Sequence, residues 1–478
     1  MQRINYDLVV VGAGSGGYAA ARTALDCGEC TVALVDRGPL GGLCILRGCM
    51  PSKALLATSD ALNDAREAVA LGVHATSISA DVPFAVARKR ELVRGFAEYR
   101  IEGLESFPLY RGQARFLSGT ELQVGDDTVL VARKFVIATG SVVAPPSVDG
   151  LIEAGYFDSD AALELETIPK SLIVLGGGYV ACELGQYFAR MGARTTFVIR
   201  APHLLSAADV DVGTTLTQSF REEGIEVIAG ATLVNVRERG GKKTVSLLVD
   251  GIDGEVVADE IFYALGRVPD VAGLGLEAAG VDAHPTRGIA VDTKLRTSNP
   301  DIYAVGDVTG RFALVHVAIY EGEIAARNAL RDANEEADYS IVAAHTVFSD
   351  PQVATVGKIE KQLERDGTIY VKGTYAFAEH GKAMTLAKTK GFVKILADPT
   401  DGRIVGATVI GPQASELIHE MIVAMTYRGT VQDFVRIPHL HPTLSEIWTY
   451  PAEECAEQIG KRRPGDDPME LATSVHIR

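Results

Sequence analysis

Residues 41–53 read GGLCILRGCMPSK and place Cys44 and Cys49 four residues apart, directly after a glycine pair. The chain of 478 residues holds only six cysteines, and its first residues, MQRINY, lack the charged and apolar leader of a secreted protein. A framework of structural disulfides is therefore not expected. The spacing instead predicts a redox-active pair.

The backbone between the two cysteines must bend if their sulfurs are to bond. Five residues of regular α-helix rise roughly 7.5 Å, which exceeds the Cα separation of about 4.4–6.8 Å that a disulfide tolerates. Gly48 and Pro51 are the residues that can introduce the bend. A bridge held in this way is expected to be reduced easily.

Composition excludes several classes of function. The net charge of −16 argues against nucleic acid or anionic lipid as a partner, because both require basic surfaces. No run of ~20 apolar residues occurs, so no membrane span is predicted. A hydrophobic content of 47% with 49 glycines indicates an α/β protein of several domains. We expect it in the cytoplasm.

A first dinucleotide-binding unit is predicted near the amino terminus. An apolar strand over residues 8–11 runs into a G-x-G-x-x-G turn and then into a helix over 18–25, whose amino terminus can bind a pyrophosphate. The following strand ends in an acid about 20 residues beyond the glycines, placed to accept hydrogen bonds from ribose hydroxyls. The glycines and the acid are Gly12, Gly14, Gly17 and Asp36.

A second copy of this unit begins 164 residues later, with the glycine turn Gly176-Gly177-Gly178-Tyr179-Val180-Ala181 between a strand and a helix. Ala181 replaces the third glycine, and Arg200 follows the next strand where the first copy has Asp36. A guanidinium can bind a phosphate and cannot accept hydrogen bonds from ribose hydroxyls, so the second site favours NADPH over NADH. The alternative is that Arg200 is a solvated strand end.

These motifs resemble the flavoprotein disulfide reductases, the family that includes dihydrolipoamide dehydrogenase, glutathione reductase and mercuric reductase. The resemblance spans nearly the whole chain and includes Ala138-Thr139-Gly140, the strand-turn around Gly266, Asp307 in AVGD, and the hexapeptide from His441 to Glu446. One departure lies inside the cysteine motif, where relatives usually carry Asn and a β-branched residue and this chain has Leu46 and Arg47.

The resemblance implies FAD and a nicotinamide nucleotide as cofactors, and electron transfer between NAD(P)H, FAD, a Cys44–Cys49 disulfide and a small disulfide or dithiol substrate. Cys49 would face the flavin as a charge-transfer thiolate, and Cys44 would exchange with the substrate. Further roles follow by resemblance: Asp307 would bind the ribityl chain, Lys53 would pair with Glu183 beside the flavin, and Tyr179 would cover the nicotinamide pocket. The alternative for Tyr179 is a packing residue.

A histidine oriented by a carboxylate suits thiol chemistry near neutral pH, and Glu446 stands five residues after His441. By resemblance, His441 reaches the disulfide of the other subunit, which implies a homodimer with a shared active site. His380 and His439 are interpreted as surface or packing residues. Cys27 and Cys30 form a C-x-x-C in a short turn, where two turn residues are favoured over a redox or zinc site, and no metal site is predicted.

The expected fold is α/β, with two Rossmann-like domains and a carboxy-terminal α+β dimerisation domain. The predicted boundaries are 1–148 and 269–340 for the two parts of the FAD domain, 149–268 for the NAD(P) domain and 341–478 for the dimerisation domain. The tail from residue 460 onward is polar and is predicted to be flexible.

The sequence leaves the substrate open. Ser15 and Arg22 coincide with residues that bind glutathione in glutathione reductase, but Glu323 stands where that enzyme has a carboxylate-binding arginine. The Ser-Lys after the cysteines and the Leu-Ser of HPTLSE are more like dihydrolipoamide dehydrogenase. The alternatives are an NAD-dependent dihydrolipoamide dehydrogenase acting within a complex, and a diaphorase or a metal- or quinone-reducing flavoenzyme.

Overall fold

The computed structural model describes residues 2–460, and the predicted flexible tail lies outside the described residues. The amino-terminal region forms β1 (Gln2–Val11), α1 (Ser15–Leu25), β2 (Val32–Asp36), α2 (Gly42–Arg47), α3 (Cys49–Glu67), α4 (Val82–Leu104), β3 (Leu109–Arg111), β4 (Ala114–Ser118), β5 (Glu121–Val124), β6 (Thr128–Ile137) and β7 (Ser141–Val143).

The main sheet of this region has the order β3-β2-β1-β6-β5-β4. Its central strand β1 ends in Leu8–Val11, which is buried, because helices and loops cover both faces of a parallel sheet. The strands β3, β2, β1 and β6 run parallel, whereas β4 and β5 are antiparallel. The parallel strands all end at the edge that carries the first glycine turn.

The middle region comprises α5 (Leu151–Ala154), α6 (Ser159–Ala162), β8 (Ser171–Leu175), α7 (Tyr179–Arg190), β9 (Arg194–Val198), α8 (Val210–Glu222), β10 (Glu226–Ile228), β11 (Ala231–Arg239), β12 (Lys242–Val249), β13 (Ile252–Ala258), β14 (Glu260–Tyr263) and β15 (Arg267–Pro269). Its parallel sheet has the order β10-β9-β8-β14, beside an antiparallel sheet β11-β12-β13. The strand β15 pairs with β7 and returns the chain to the first region.

The chain then forms β16 (Ala283–His284), β17 (Gly288–Ile289), β18 (Ile302–Ala304) and α9 (Val315–Arg331). The short strand β18 pairs in parallel with the end of β6 and becomes the seventh strand of the first sheet. Helix α9 packs along α1. Residues after 269 therefore complete the layer that the first 143 residues began.

The carboxy-terminal region is built on an antiparallel sheet. Its elements are α10 (Tyr339–Val342), β19 (His345–Val347), β20 (Gln352–Gly357), α11 (Glu360–Arg365), β21 (Val371–Ala376), α12 (Gly381–Thr385), β22 (Phe392–Ala397), β23 (Ile404–Gly411), α13 (Ala414–Thr426), α14 (Val431–Val435) and α15 (Thr449–Gly460). The strand order is β19-β20-β23-β22-β21, and α13 and α15 pack against it. The predicted α/β class with a distinct carboxy-terminal α+β region is confirmed.

Buried ion pairs tie the regions together. Arg190 of α7 is 4% exposed and pairs with Asp60 of α3, Glu223 after α8 and Asp350 before β20. Buried charges are tolerated when paired in this way. Among the helices of residues 2–460, none is long and apolar enough to cross a membrane.

Candidate active site

The first glycine turn lies between β1 and α1, where the backbone comes very close to itself. A Cβ placed on Gly17 would lie 1.8 Å from the carbonyl oxygen of Gly12, so no side chain fits there. Asp36, at the end of β2, accepts hydrogen bonds from the amides of Ala13 at 2.8 Å and Gly38 at 2.6 Å. No side chain of residues 2–460 caps the amino terminus of α1, and Gly14, Ser15 and Gly16 line a cavity, so an anion can reach this turn.

The two motif cysteines lie on consecutive helices rather than on one. Helix α2 ends at Arg47, the chain turns at Gly48 with φ −133° and ψ −115°, and α3 begins at Cys49. The predicted bend therefore comes from Gly48, whereas Pro51 lies in the first turn of α3, where proline is tolerated. Both cysteines are free thiols in the structure.

The two thiols differ strongly in acidity. A hydrogen bond donated by the Cys44 thiol lowers the pKa of Cys49 to about 7, against a desolvation effect that raises it, and the Lys53 ammonium lowers it further. The same hydrogen bond, together with burial, raises the pKa of Cys44. Cys49 is also the first residue of the 19-residue helix α3, whose amino terminus favours an anion.

Lys53 and Glu183 are paired as predicted, although 130 residues separate them in sequence. The Lys53 ammonium lies 2.6 Å from Oε2 of Glu183 and 4.5 Å from the centre of the Phe348 ring. The other oxygen of Glu183 accepts a hydrogen bond from the amide of Phe348 at 3.0 Å. Helices α3 and α7 and the segment before β20 thus position one ammonium group beside the cysteines.

A cavity of about 1260 Å³ connects these features. Its lining includes Gly14, Asp36, both motif cysteines, Lys53, Gly140, Tyr179, Glu183 and Asp307. This volume exceeds the usual range of about 300–1,000 Å³ for a small-molecule site. Because the cavity runs from the open glycine turn past Asp36 to the thiols, the residues present fit an extended FAD.

Tyr179, at the start of α7, lies at the cavity and stacks on His345 of β19, with ring centres 5.5 Å apart and planes 15° from parallel. Burial lowers the pKa of His345, so its ring is neutral near pH 7. Gly176 and Gly178 lie in the turn before α7, and Ala181 is buried in that helix. Sequence reasoning did not single out His345, which carries no local motif.

Arg47, the departure from the relatives, forms an ion pair with an acid outside the cysteine segment. Its guanidinium lies 3.2 Å from Asp160 of α6, which is also 3.9 Å from Arg267. Arg267, directly after Gly266, donates to Ser141 at 3.0 Å, and Ser141 donates to Asp307 at 2.6 Å. Arg47 and Asp307 are therefore linked by a chain of polar contacts along the cavity wall.

His441 and Glu446 form the predicted pair, with Nδ1 2.9 Å from Oε2. The His441 side chain is 80% exposed, and neither residue lines the cavity described above. Its Nε2 therefore faces outward from this subunit. Glu446 has a second histidine neighbour, since Nε2 of His380 lies 3.5 Å from its Oε1. His380 is 0% exposed, so of its two predicted interpretations the surface residue is wrong.

Arg200 is exposed just after β9, and no side-chain hydrogen bond or ion pair holds it among residues 2–460. His439 pairs with Glu420 at 2.6 Å. Burial raises the pKa of both Cys27 and Cys30, which disfavours their thiolates.

Within residues 2–460, one group of acids has the spacing of metal ligands: Asp209, Asp211 and Glu360. The ammonium of Lys394 forms ion pairs with all three.

Comparison with known proteins agrees with this geometry. The family described as pyridine nucleotide-disulphide oxidoreductase matches residues 6–322, and its dimerisation domain matches 343–452. Dihydrolipoyl dehydrogenase of Chlamydia pneumoniae is 35% identical over 449 residues, covering 93% of this chain and 95% of that protein. Mercuric reductase of Streptomyces lividans is 35% identical over 464 residues, covering 95% of this chain and 97% of that protein.

Among solved structures, the Cu(II) complex of the HOCl-induced flavoprotein disulfide reductase RclA from Escherichia coli has a TM-score of 0.82. The match covers 96% of this chain and 100% of the RclA chain at 24% sequence identity, and it shows that the two proteins share a fold. The presence of a dimerisation domain indicates a homodimer. The chain thus belongs to the pyridine nucleotide-disulphide oxidoreductase family, as a flavoprotein enzyme that acts on sulfur groups with NAD(P).

Proposed function

We propose that this enzyme reduces a small disulfide with NADPH, through bound FAD and the Cys44–Cys49 pair. The observation that carries the proposal is that one cavity is lined by the first glycine turn, both cysteines, Lys53 and Tyr179. A nucleotide site, a thiol pair and a cation thereby share one cavity. When bound there, FAD supplies the relay of an electron pair between a nicotinamide hydride and the cysteine bridge.

The two cysteines take different roles. Cys49, with its pKa of about 7, holds the negative charge of the reduced pair beside Lys53. Cys44 keeps its proton and needs a base before it can attack a substrate disulfide, because only the thiolate is nucleophilic. Its attack forms a mixed disulfide and releases one substrate thiol, and Cys49 then displaces the second thiol and restores the bridge.

His441 is the proposed base and acid of this exchange. Glu446 holds Nδ1, so Nε2 is free to take the proton of Cys44 and to give it to the departing thiolate. Since the ring faces outward, the Cys44 that it serves belongs to the partner subunit, and each site is shared across the dimer. Overall, NAD(P)H, one proton and one disulfide yield NAD(P)⁺ and two thiols.

The proposed nicotinamide side is the middle region, residues 149–268, with FAD held by 1–148 and 269–340 and the dimer interface formed by 341–478. The unpaired Arg200 after β9 is available to a 2′-phosphate, which supports NADPH. Tyr179 would cover the empty nicotinamide pocket, and the incoming cofactor would displace its ring from the cavity. Six cysteines in 478 residues do not make a framework of structural disulfides, and we propose the cytoplasm.

The test is an anaerobic titration of the purified flavoprotein with NADPH and, separately, NADH. Lower amounts of NADPH than of NADH should produce long-wavelength absorbance from the Cys49 thiolate beside the flavin. Cys44→Ser should lose turnover of every disulfide. A Cys44→Ser enzyme with wild-type turnover would show a diaphorase that does not use the thiols, and a response to NADH alone would overturn the NADPH proposal.

Dihydrolipoamide dehydrogenase is the second candidate, supported by the relatives that span nearly the whole chain. It would run the same thiol steps in reverse, with NAD⁺ as the acceptor. Oxidation of dihydrolipoamide with NAD⁺ at a kcat/KM above that for lipoamide reduction with NADPH would favour this candidate over the first.

A further inference from the structure

Two guanidinium groups without an acidic partner in the described part of the chain lie against the Tyr18 ring, and one of them comes from α4, which packs against the helix that carries Cys44. Arg100 of α4 places its guanidinium carbon 4.4 Å from the centre of the Tyr18 ring, and Arg22 of α1 lies 5.8 Å from the same centre. No ion pair neutralises either arginine within residues 2–460. Nη1 of Arg100 is buried and lacks a hydrogen-bond partner.

The helix faces that carry these residues adjoin the cavity that contains Cys44. Ser15, Tyr18 and Arg22 recur at intervals of three and four residues, so they share one face of α1, and Ser15 lines the cavity that contains Cys44. Helix α4 packs against α2, the helix that carries Cys44. Arg100 is close enough for its charge to interact with the Cys44 sulfur, as well as with Tyr18 and Arg22.

An uncompensated cation in this position is costly. Burial lowers the pKa of Arg100, and the like charge of Arg22 lowers it further. A buried donor without a partner is unfavourable, and more so when it belongs to a charged group. An anion that enters beside Cys44 would remove this penalty, and a planar carboxylate matches the guanidinium fork.

We propose that Arg100, supported by Arg22 across the Tyr18 ring, binds a carboxylate of the disulfide substrate, so that the enzyme prefers anionic to neutral disulfides. This inference rests on the proposed disulfide reductase function. It names the substrate class that this site selects, and it assigns Arg100 as the specificity-determining residue.

The experiment compares lipoate and lipoamide, which share one dithiolane ring and differ in a carboxylate against an amide. In the wild-type dimer loaded with FAD, kcat/KM should be higher for lipoate. Arg100→Met should lower the lipoate-to-lipoamide ratio about tenfold, through KM for lipoate, because one charged hydrogen bond is lost. Arg100→Lys should recover part of the ratio. Arg94→Met is the matched control, since Arg94 lies on the same helix and pairs only at the surface with Glu91.

An unchanged ratio in Arg100→Met would overturn the inference. Equal losses with both substrates, accompanied by dissociation of the dimer, would overturn it as well and assign Arg100 to an acid of the partner subunit. Wild-type enzyme that turns over neither disulfide would instead refute the proposed function itself, and the anion site with it.

A second inference comes from the other half of the site. His380 is fully buried between the edges of Phe377 and Tyr450, with ring centres 6.5 and 6.3 Å away, and neither ring nitrogen has a hydrogen-bond partner. The charged groups that face it are Glu446, 3.5 Å from Nε2, and His441 beyond. Glu446 thus lies between a buried and an exposed histidine.

The geometry points to His380 as a positioning residue that holds Glu446. Burial lowers the pKa of His380, so a neutral ring can donate Nε2–H to Oε1 while Oε2 holds His441. Hydrogen bonds of catalytic groups are often long in the free enzyme and shorten in the complex. In the substrate complex this donor would give the Glu446 carboxylate a second anchor besides His441, and without it the orientation of His441 would be less well fixed.

His380→Phe fills the volume without a donor, and His380→Asn keeps one. In His380→Phe the ratio of disulfide turnover to ferricyanide reduction, which bypasses the thiols, should fall about tenfold, and the pH profile of disulfide turnover should shift. His380→Asn should restore both in part. A wild-type pH profile in His380→Phe, or equal losses in the two assays, would overturn this role.

Discussion

Two thiols in one short segment have opposite acidities because their surroundings differ. Cys49 begins a helix, lies near Lys53 and accepts a hydrogen bond, whereas Cys44 donates that bond and is half-buried on a shorter helix. The motif predicted the pair, and resemblance gave the division of roles. The geometry supplies a physical reason for that division, since the hydrogen bond from Cys44 and then the Lys53 ammonium favour the anion at Cys49.

The alkylation rate of Cys49 should therefore follow a thiolate with a pKa of about 7. The reduced enzyme is treated with iodoacetamide across a pH series, and the modified peptide is quantified by mass spectrometry. The rate should rise as pH increases through about 7 and level off above it, because the thiolate reacts. A midpoint near the ordinary thiol value of about 8.5 would contradict the arrangement of Cys44 and Lys53.

At the scale of elements, the junction of α8, α11 and β22 depends on one buried cation. Lys394 of β22 is 0% exposed and lies 2.6–2.9 Å from Asp209, Asp211 and Glu360. Asp209 also accepts the first backbone amides of α11. The middle and carboxy-terminal regions are thus joined through one ammonium group and three carboxylates.

Lys394→Met should destabilise the protein by about 3–5 kcal/mol, because three carboxylates would lose the charge that neutralises them. Lys390→Met is the control, since Lys390 pairs with Glu222 where both are exposed, and its effect should stay within about 1 kcal/mol. The midpoint of urea denaturation measures both variants. Equal midpoints for the two would show that the buried cluster contributes no more than a surface pair.

At the scale of the whole molecule, the cysteines and His441 lie in different environments of the same subunit. The thiols lie in the cavity of one subunit, whereas the His441 ring is 80% exposed and lies outside that cavity. The proposed mechanism uses both groups and therefore requires a second copy. The dimerisation domain in the carboxy-terminal third supplies the means for that association.

Mixed dimers test the shared site. Cys44→Ser and His441→Ala subunits, each inactive as a homodimer, are co-expressed with different tags. A mixed dimer contains one site with both defects and one site with neither, so random association should restore about a quarter of wild-type activity. If each subunit used its own histidine, every site would carry one defect and the mixture would remain inactive.

Much of the fold was predictable because its signals are local. A buried strand, a glycine turn and a helix follow one another within about 20 residues in each nucleotide unit. Steric limits require glycine at position 17 of the first turn, whereas the second turn accommodates Ala181 at the matching position. A short sequence motif can likewise predict a pair such as His441 and Glu446, which are only five residues apart. The residues in these contacts are close in sequence, so the local sequence is enough to predict them.

The sequence by itself therefore determined the two glycine turns, the cysteine pair and the carboxy-terminal histidine with its acid. Only the tertiary structure decided that Arg47 meets Asp160, that His345 stacks on Tyr179, that His380 lies against Glu446 and that Arg100 stands near Cys44 without an acid. These residues come from separate elements and carry no motif. Their roles depend on which faces pack together, because burial, charge and contact arise only when distant segments of the chain meet.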